Sequence, residues 1–454
     1  MHKNKRLKKL TNKLSPVQIL LTFYFLSVLV STILLALPIV HKPNVELSFM
    51  DLLFTAVSAL SVTGLSTIVI SETFNTFGLF ILAAILQFGA VGVMAIGTFI
   101  WLLIGKRIGL KERHLIMTDQ NQTSFDGMVR LIKQIILVLL TIELIAFLIL
   151  GTYYLRYYPS ATEAYFHGFF GTISAISNGG FDITGNSLIP FKDDYFVQSI
   201  NMILIFLGAI GFPVLIEVKR YLFEKRKKRT VFRFSLFTKV TSLTFLILII
   251  LGTVVIFLLD MNHYFAGMSW HETFFYSLFQ SVTTRSGGLS TLDVSDLTRG
   301  NHLFISFLMF IGASPSSAGG GIRTTTFALV IVFIITYARG GKSIKLFNRE
   351  IYDSDLMKAV TVMLMAFILV FTSILIIVLL EPFTLEEIFF EVTSAFGTVG
   401  LSLGITSQLT IGSKLILILL MFIGRVGVIS FLLFFNKGRN TENIHYPKER
   451  IIIG

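Results

Sequence analysis

The residues of most chemical interest in this 454-residue chain are glycines, which recur in four similar turns. The turns read Ser61-Val62-Thr63-Gly64-Leu65-Ser66, Ser177-Asn178-Gly179-Gly180-Phe181-Asp182, Arg285-Ser286-Gly287-Gly288-Leu289-Ser290 and Gly397-Thr398-Val399-Gly400-Leu401-Ser402. The aligned glycines, Gly64, Gly180, Gly288 and Gly400, stand 116, 108 and 112 residues apart. One Thr-Gly or Gly-Gly pair marks an ordinary turn. Four at a nearly constant period mark an internal repeat. Glycine permits backbone angles that a side chain forbids. Four such strips around one axis could turn their carbonyl oxygens inward and replace the hydration shell of a cation. No carboxylate stands at the aligned glycines, which argues against an acidic ring for divalent ions. Asp182, two residues past Gly180, is the nearest exception.

Each strip needs an element that aims it. Upstream of Gly64 and Gly400 the chain aligns without gaps, Asp51, Phe54, Ser58 and Ala59 meeting Glu387, Phe390, Ser394 and Ala395. The second copy supplies Phe170, Ser174 and Ala175, whereas the third fits less well, with Leu278, Val282 and Thr283. The apolar stretch 48–60 would form a helix about 20 Å long, too short to cross a bilayer. It should enter and return from one side, with its negative C-terminal end aimed at the strip. Irregular backbone at that depth must be buried in protein or face water.

Long apolar runs flank these short segments, for example 17–40, 77–104, 236–259 and 359–380. Hydrophobic residues make up 54% of the chain and charged residues 14%, against about a quarter charged in soluble domains. The expected fold is an all-α polytopic membrane protein of four tandem helix–pore helix–helix repeats. Eight transmembrane helices and four re-entrant pore helices would surround one pore with pseudo-four-fold symmetry. The expected division is a cytoplasmic N-terminus (1–16), repeat 1 (17–104), a cytoplasmic loop (105–130), repeat 2 (131–222) and a basic cytoplasmic loop (223–235). Repeat 3 (236–338), a cytoplasmic loop (339–357), repeat 4 (358–436) and a cytoplasmic tail (437–454) complete it.

Charge supports this order. Of 38 Lys and Arg residues, 30 fall in the N-terminus and in 106–133, 219–239, 339–358 and 437–450. The positive-inside rule puts these segments, and both termini, in the cytoplasm. The net charge of +12 is then a topology signal, and no nucleic acid partner is expected. The cluster 225–229 either binds anionic lipid or anchors topology. Carboxylates show the opposite bias, 15 of 26 lying in the outer segments, where they would attract cations. The lysine-rich start precedes a run too long for a signal sequence and is read as a retained first span. With no cysteine, disulfides and thiolate chemistry are excluded. There is no Gly-x-x-x-x-Gly-Lys-Ser/Thr motif, so nucleotide binding by the chain itself is not expected. No nucleophile–base or metal constellation emerges, and the chain is not read as an enzyme.

A second constellation lies in 303–336, which would be about 50 Å long as one helix, too long for a single straight span. Its middle reads Gly312-Ala313-Ser314-Pro315-Ser316-Ser317-Ala318-Gly319-Gly320-Gly321-Ile322-Arg323. Proline and clustered glycines should break the helix. Arg425 sits inside the apolar run 415–435, where a charge is costly and faces the interior; it is expected to hold the break closed across the pore. The plainer reading is that small residues merely let helices pack closely. Arg285 is expected behind its strip, paired with Glu272 or acting on ion occupancy. Glu143 is expected in a helix-packing contact, with a proton or sodium site as the alternative. Asp193-Asp194 and Glu386-Glu387 are expected to shape the outer mouth.

On the four glycine strips and the glycine-rich break, the chain resembles the Ktr/Trk/HKT superfamily of potassium transporters, most of all the bacterial Ktr-type membrane subunit. The resemblance implies potassium uptake through four non-identical filter strips: Thr63 and Gly64; Asn178, Gly179 and Gly180; Ser286, Gly287 and Gly288; Thr398, Val399 and Gly400. Members with serine at the first key position pass sodium, so Gly64 implies potassium. The resemblance also makes the intramembrane loop 312–321 a gate, with Arg425 as its partner. It implies K+ as the transported ion, Na+ as a candidate activator, and no covalently bound cofactor or resident metal. Implied partners are the lipid bilayer, a second copy in a homodimer, and a cytosolic nucleotide-binding regulatory ring (KtrA/KtrC-like). The expected location is a bacterial plasma membrane. The competing reading, an ion-coupled secondary transporter of another small solute, would require two-fold inverted repeats.

Overall fold

The computed structural model describes residues 16–92, 95, 128–224, 232–341, 343–434 and 449. The basic N-terminus, most of the loop at 105–130, the cluster 225–231 and nearly all of the tail 437–454 lie outside the described residues. What is described is mostly helical.

Among the described residues, four helices are each long and apolar enough to cross a membrane unbroken. They are α1 (Pro16–Leu35), α4 (Met128–Tyr154), α8 (Leu236–Asp260) and α12 (Asp353–Leu380). After each comes a short helix: α2 (Phe49–Leu60), α5 (Ala161–Ser177), α9 (Trp270–Thr283) and α13 (Leu385–Gly397). Then follows a second apolar helix, interrupted in the second, third and fourth repeats. These are α3 (Thr76–Val91), α6 with α7 (Tyr195–Ala209, Phe212–Glu224), α10 with α11 (Arg299–Ile311, Thr324–Ala338), and α14 with α15 (Ile411–Val426, Val428–Phe434).

The short helices start alike because their sequences cap them alike. Ser48, Ser160, Ser269 and Thr384 each accept a hydrogen bond from the backbone N–H of the third helical residue, satisfying one of the free donors there. Glu272 and Glu387 complete reciprocal capping boxes. Every first turn carries a carboxylate, Asp51, Glu163, Glu272 or Glu386, the sign the helix dipole favours.

These second helices assemble the molecule. α3 packs on α5, α6 on α9, α10 on α13, and α14 on α2. Each repeat therefore leans on the short helix of the next, and the fourth leans on the first. The ring so formed buries α2, α5, α9 and α13 at its centre; Phe54, Phe170, Phe279 and Phe390 are each buried to 1% exposure or less. Large apolar side chains point the other way: Phe25, Leu144, Ile250 and Phe371 on the long helices are all more than half exposed. Such a girdle suits lipid. In the loop 339–357, a two-stranded hairpin pairs Lys345–Leu346 with Arg349–Glu350.

Candidate functional site

The four glycine strips, far apart in sequence, meet at the centre of the ring. A Cβ built on Gly64 would lie 2.6 Å from the Gly179 carbonyl oxygen and 3.0 Å from Gly180 Cα. One on Gly180 would lie 2.9 Å from Gly288 Cα. One on Gly288 would strike the Val399 carbonyl oxygen, and one on Gly400 the Thr63 carbonyl oxygen. The contacts run from the first strip to the second, third and fourth, and back to the first. No side chain fits at any of the four positions.

The strips also follow one backbone path. Each aligned glycine has positive φ, +94°, +65°, +72° and +96° in order. So does the residue two before it: Val62, Asn178, Ser286 and Thr398. A β-branched valine in that region is rare; the turn beneath it holds it there. In the first, second and fourth copies the short helix closes with a bond to the residue five positions on: Thr63 N to Ser58 O (2.8 Å), Gly179 N to Ser174 O (2.8 Å), Val399 N to Ser394 O (2.9 Å). In the third, Gly287 N reaches Thr283 O, four positions back, at 2.6 Å. That turn is one residue shorter, which is why an ungapped alignment fits the third copy poorly. The residue matching Ser58, Ser174 and Ser394 is Thr283, not Val282. All four hydroxyls tie down their strips: Ser58 and Ser394 accept from Gly64 N and Gly400 N at 3.1 Å, while Ser174 and Thr283 donate to the Phe181 and Leu289 carbonyls at 2.5 Å.

Above the glycines opens a cavity of about 420 Å³ lined by all four of them, by Ser66, Ser290 and Ser402, and by Asp182 and Asp293. The other outer carboxylates named from sequence are not on it. Asp194 caps α6 and accepts from the Tyr157 hydroxyl at 2.5 Å, a bond that pushes the Tyr157 hydroxyl up to about 12. Asp193 accepts from Tyr276, Glu381 from Thr410, and Glu386 meets His302 and Arg299. These carboxylates serve as caps and interhelix ties. An excess of acid on one side of a sequence does not say which side chains face the axis.

Arg285 is fully buried and donates to the Leu308 carbonyl at 2.6 Å. Its expected pairing with Glu272 does not form, because Glu272 is spent on the Ser269 cap. Glu143 accepts from Gln87 at 2.7 Å, a packing contact between α4 and α3.

Beneath the strips, the segment between α10 and α11 is unwound and turns at Gly312, Ser316, Gly321 and Arg323, all with positive φ. It is flush against the strips. Gly320 N–H donates to Ser286 Oγ (3.3 Å), which donates to the Gly397 carbonyl (2.9 Å). A Cβ on Gly319 would lie 2.5 Å from Ser286, and one on Gly320 2.6 Å from Thr398 Oγ1. The break between α6 and α7, bent by 105°, holds the other side. There Ser314 N donates to Ala209 O (3.0 Å), Ala318 N to Gly208 O (3.1 Å), and Phe212 N to Ser316 O (2.8 Å). Pro315 contributes no donor to this pattern, and the Ser317 hydroxyl folds back onto Ser314 O at 2.6 Å. Arg425 donates to the Ser317, Ala318 and Gly319 carbonyls of the segment, and to the Gly89 and Ala90 carbonyls at the end of α3. Arg323 donates to Gly319 O and Arg425 O. Two guanidinium groups thus bind the segment by its own carbonyls.

The sequence leads one to expect one break, in the third repeat; among the described residues the second helix is broken in the second, third and fourth repeats, and in the first it ends at a matching glycine. α3 ends at Gly92, α6 near Gly211, α10 at Gly312 and α14 at Gly427, each with positive φ. The missed signal is Gly89-Ala90-Val91-Gly92, Gly208-Ala209-Ile210-Gly211 and Gly424-Arg425-Val426-Gly427; the third copy in this register is Met309-Phe310-Ile311-Gly312, without the first glycine. The first glycine lets the helix pass its own short helix. A Cβ at Gly89, Gly208 or Gly424 would strike the Leu60, Ile176 or Phe396 carbonyl oxygen. The bond from Arg323 to the Arg425 carbonyl joins residues 102 apart, which nothing in the local sequence signals.

Comparison with known proteins adds names to this geometry. The sequence profile of the TrkH family, described as cation transport protein, matches residues 7–445. The chain is 56% identical to the Ktr system potassium uptake protein D of Bacillus subtilis, over 98% of this chain and 99% of that one. It is 36% identical to the Ktr system potassium uptake protein B of the same organism, over 97% of each. It is 30% identical to the potassium/sodium uptake protein NtpJ of Enterococcus hirae, over 98% and 99%. Among solved structures, the potassium transporter TrkH of Vibrio parahaemolyticus superposes with a TM-score of 0.70 at 19% identity, over 93% of this chain and 85% of that one.

Proposed function

The chain belongs to the TrkH family of cation transport proteins, and we propose that it is the ion-conducting subunit of a Ktr-type system that takes up potassium across a bacterial plasma membrane. The observation that carries this reading is the closed cycle of contacts among Gly64, Gly180, Gly288 and Gly400. A four-part ring of extended backbone at the end of four helices suits a dehydrated monovalent cation. Two-fold inverted repeats would not produce it.

In this reading each repeat is a span, a re-entrant pore helix and a broken second span, giving eight transmembrane passages with both termini in the cytoplasm. A cation collects in the outer cavity near Asp182 and Asp293, sheds water against the carbonyls of the strips, and passes the glycine ring. Below it meets the segment 312–321, held in place by Arg425. That segment is the gate. Its bond to Ser286 lies directly under the third strip, so opening must first free the strip's underside. The 56% identity to a Ktr system protein supports a separate regulatory subunit as partner; the reading here is a cytosolic nucleotide-binding ring beneath a homodimer. Sodium acts as an activator.

The test is potassium uptake in cells lacking their own potassium transport, with and without sodium and the regulatory subunit. Growth at low potassium that depends on this chain supports the reading. A chain that reaches the membrane and restores no uptake, alone or with its ring, refutes it.

A further inference from the structure

The four strips are not held equally. From pore helix α13, the fourth is fixed twice: Ser394 Oγ accepts from Gly400 N, and one turn earlier Glu391 takes the hydroxyls of Ser402 and Thr406. Glu391 is 1% exposed and forms no ion pair among the described residues. Its Oε1 binds Ser402, two residues past Gly400, and its Oε2 binds Thr406 at 3.0 Å; both partners line the outer cavity. The first strip has a related second tie, from Thr67 to Asp51 at 2.7 Å, and Asp51 lies 3.6 Å from Lys414 of the fourth repeat. Among the described residues, the short helices α5 and α9 give the second and third strips no such carboxylate. Three residues before the anchoring hydroxyl, where α13 has Glu391, α5 has Gly171 beside a cavity of about 30 Å³ and α9 has Gln280, with neither amide atom hydrogen bonded. These two strips lean on each other instead: Ser290 N donates to Ser187 Oγ (2.8 Å) and Leu188 N to Ser290 O (2.9 Å).

We infer that Glu391 is a specificity-determining positioning residue, which fixes the outer half of the fourth strip through Ser402 and so sets how well the glycine ring discriminates between potassium and the smaller sodium. Where a filter selects by fit, rejecting a smaller ion requires that the ligands not collapse inward. A strip tied behind by a buried carboxyl group resists that collapse, because Glu391 bridges the Ser402 and Thr406 hydroxyls while lying out of water itself. This inference rests on the filter reading above.

The experiment measures rubidium, potassium and sodium uptake by the full chain with its regulatory subunit, in cells lacking potassium transport. Glu391→Leu should lower the potassium-over-sodium ratio about tenfold, the effect of one hydrogen bond, with the maximal rubidium rate per molecule in the membrane kept. Glu391→Gln, which still meets both hydroxyls, should restore most of the ratio. Ser402→Ala cuts the same tie from the strip and should reproduce the loss even if Glu391→Leu does not fold. A purely structural role would lower the amount of protein without changing the ratio. Gly400→Ser is run alongside. If it loses selectivity while Glu391→Leu or Ser402→Ala, present in the membrane, keeps it, the inference about Glu391 is overturned and the filter reading stands. If Gly400→Ser also keeps full selectivity, the filter reading falls and takes this inference with it.

Discussion

Replacing Arg425 with alanine removes the side chain that ties the unwound segment to the end of α3. Its guanidinium binds the Ser317, Ala318 and Gly319 carbonyls on one side and the Gly89 and Ala90 carbonyls on the other. The bonds to the segment are the ones that freeing it must break, and only they are counted. Leaving out the long contact to Gly319 (3.4 Å) and counting the other two at about 1 kcal/mol each, the value of an ordinary hydrogen bond since Arg425 is only half-buried, gives about 2 kcal/mol. That is roughly a thirtyfold shift in the balance between closed and open forms. Removing a positive charge from beneath the filter acts in the same direction. Rubidium flux through the purified chain in liposomes, without the regulatory subunit, should therefore rise by up to about thirtyfold, limited only where the open form becomes the majority. Arg425→Lys keeps the charge but cannot grip several carbonyls as a planar fork, so it should fall between the two. An Arg425→Ala protein with wild-type melting temperature and elution, but flux equal to or below wild type, would refute the reasoning.

Deleting 316–320 removes the carbonyls that both arginines hold, and cation flux should rise in the same liposome assay. Unchanged flux through the folded variant would count against the gate. Gly288→Ser would drive a side chain into Val399 O and Gly180; potassium-over-sodium selectivity should fall sharply, read as the ratio of uptake rates. Gly64→Ser should do the same at the first strip and admit sodium. Gly424→Ala sets a Cβ against the Phe396 carbonyl and should cost about 1–3 kcal/mol, seen as a lower melting temperature in detergent.

How much of this was legible in the sequence differs from part to part, for physical reasons. The period of Gly64, Gly180, Gly288 and Gly400 was visible because a residue without a side chain was needed at each of four equivalent places, whatever surrounded it. The turn at Thr283 was obscured because a helix can close with a four- or a five-residue step while keeping the same hydroxyl anchor, and an ungapped alignment cannot follow that choice. The helix end at Gly92 and the breaks at Gly211 and Gly427 were overlooked because a lone glycine in an apolar run is compatible with an unbroken helix; only their shared spacing after Gly89, Gly208 and Gly424 distinguishes them. The roles of Asp194, Glu272 and Glu386 were misplaced because composition tells on which side of the membrane a carboxylate lies, not whether a cap or a neighbouring hydroxyl has already claimed it.

The cyclic packing of each second helix on the short helix of the following repeat has a consequence for how the chain can be divided. Every seam joins two different surfaces, and the seam from repeat 4 to repeat 1 is made without the backbone passing through it. A cut between α7 and α8 would therefore create a second seam of the kind the protein already has. Two separately made halves would each carry one complete internal joint and two unlike, exposed faces, each fitting a face on the other half. Continuity of the polypeptide is thus a convenience of synthesis at that point, while the order of the four strips around the axis is written in the faces themselves.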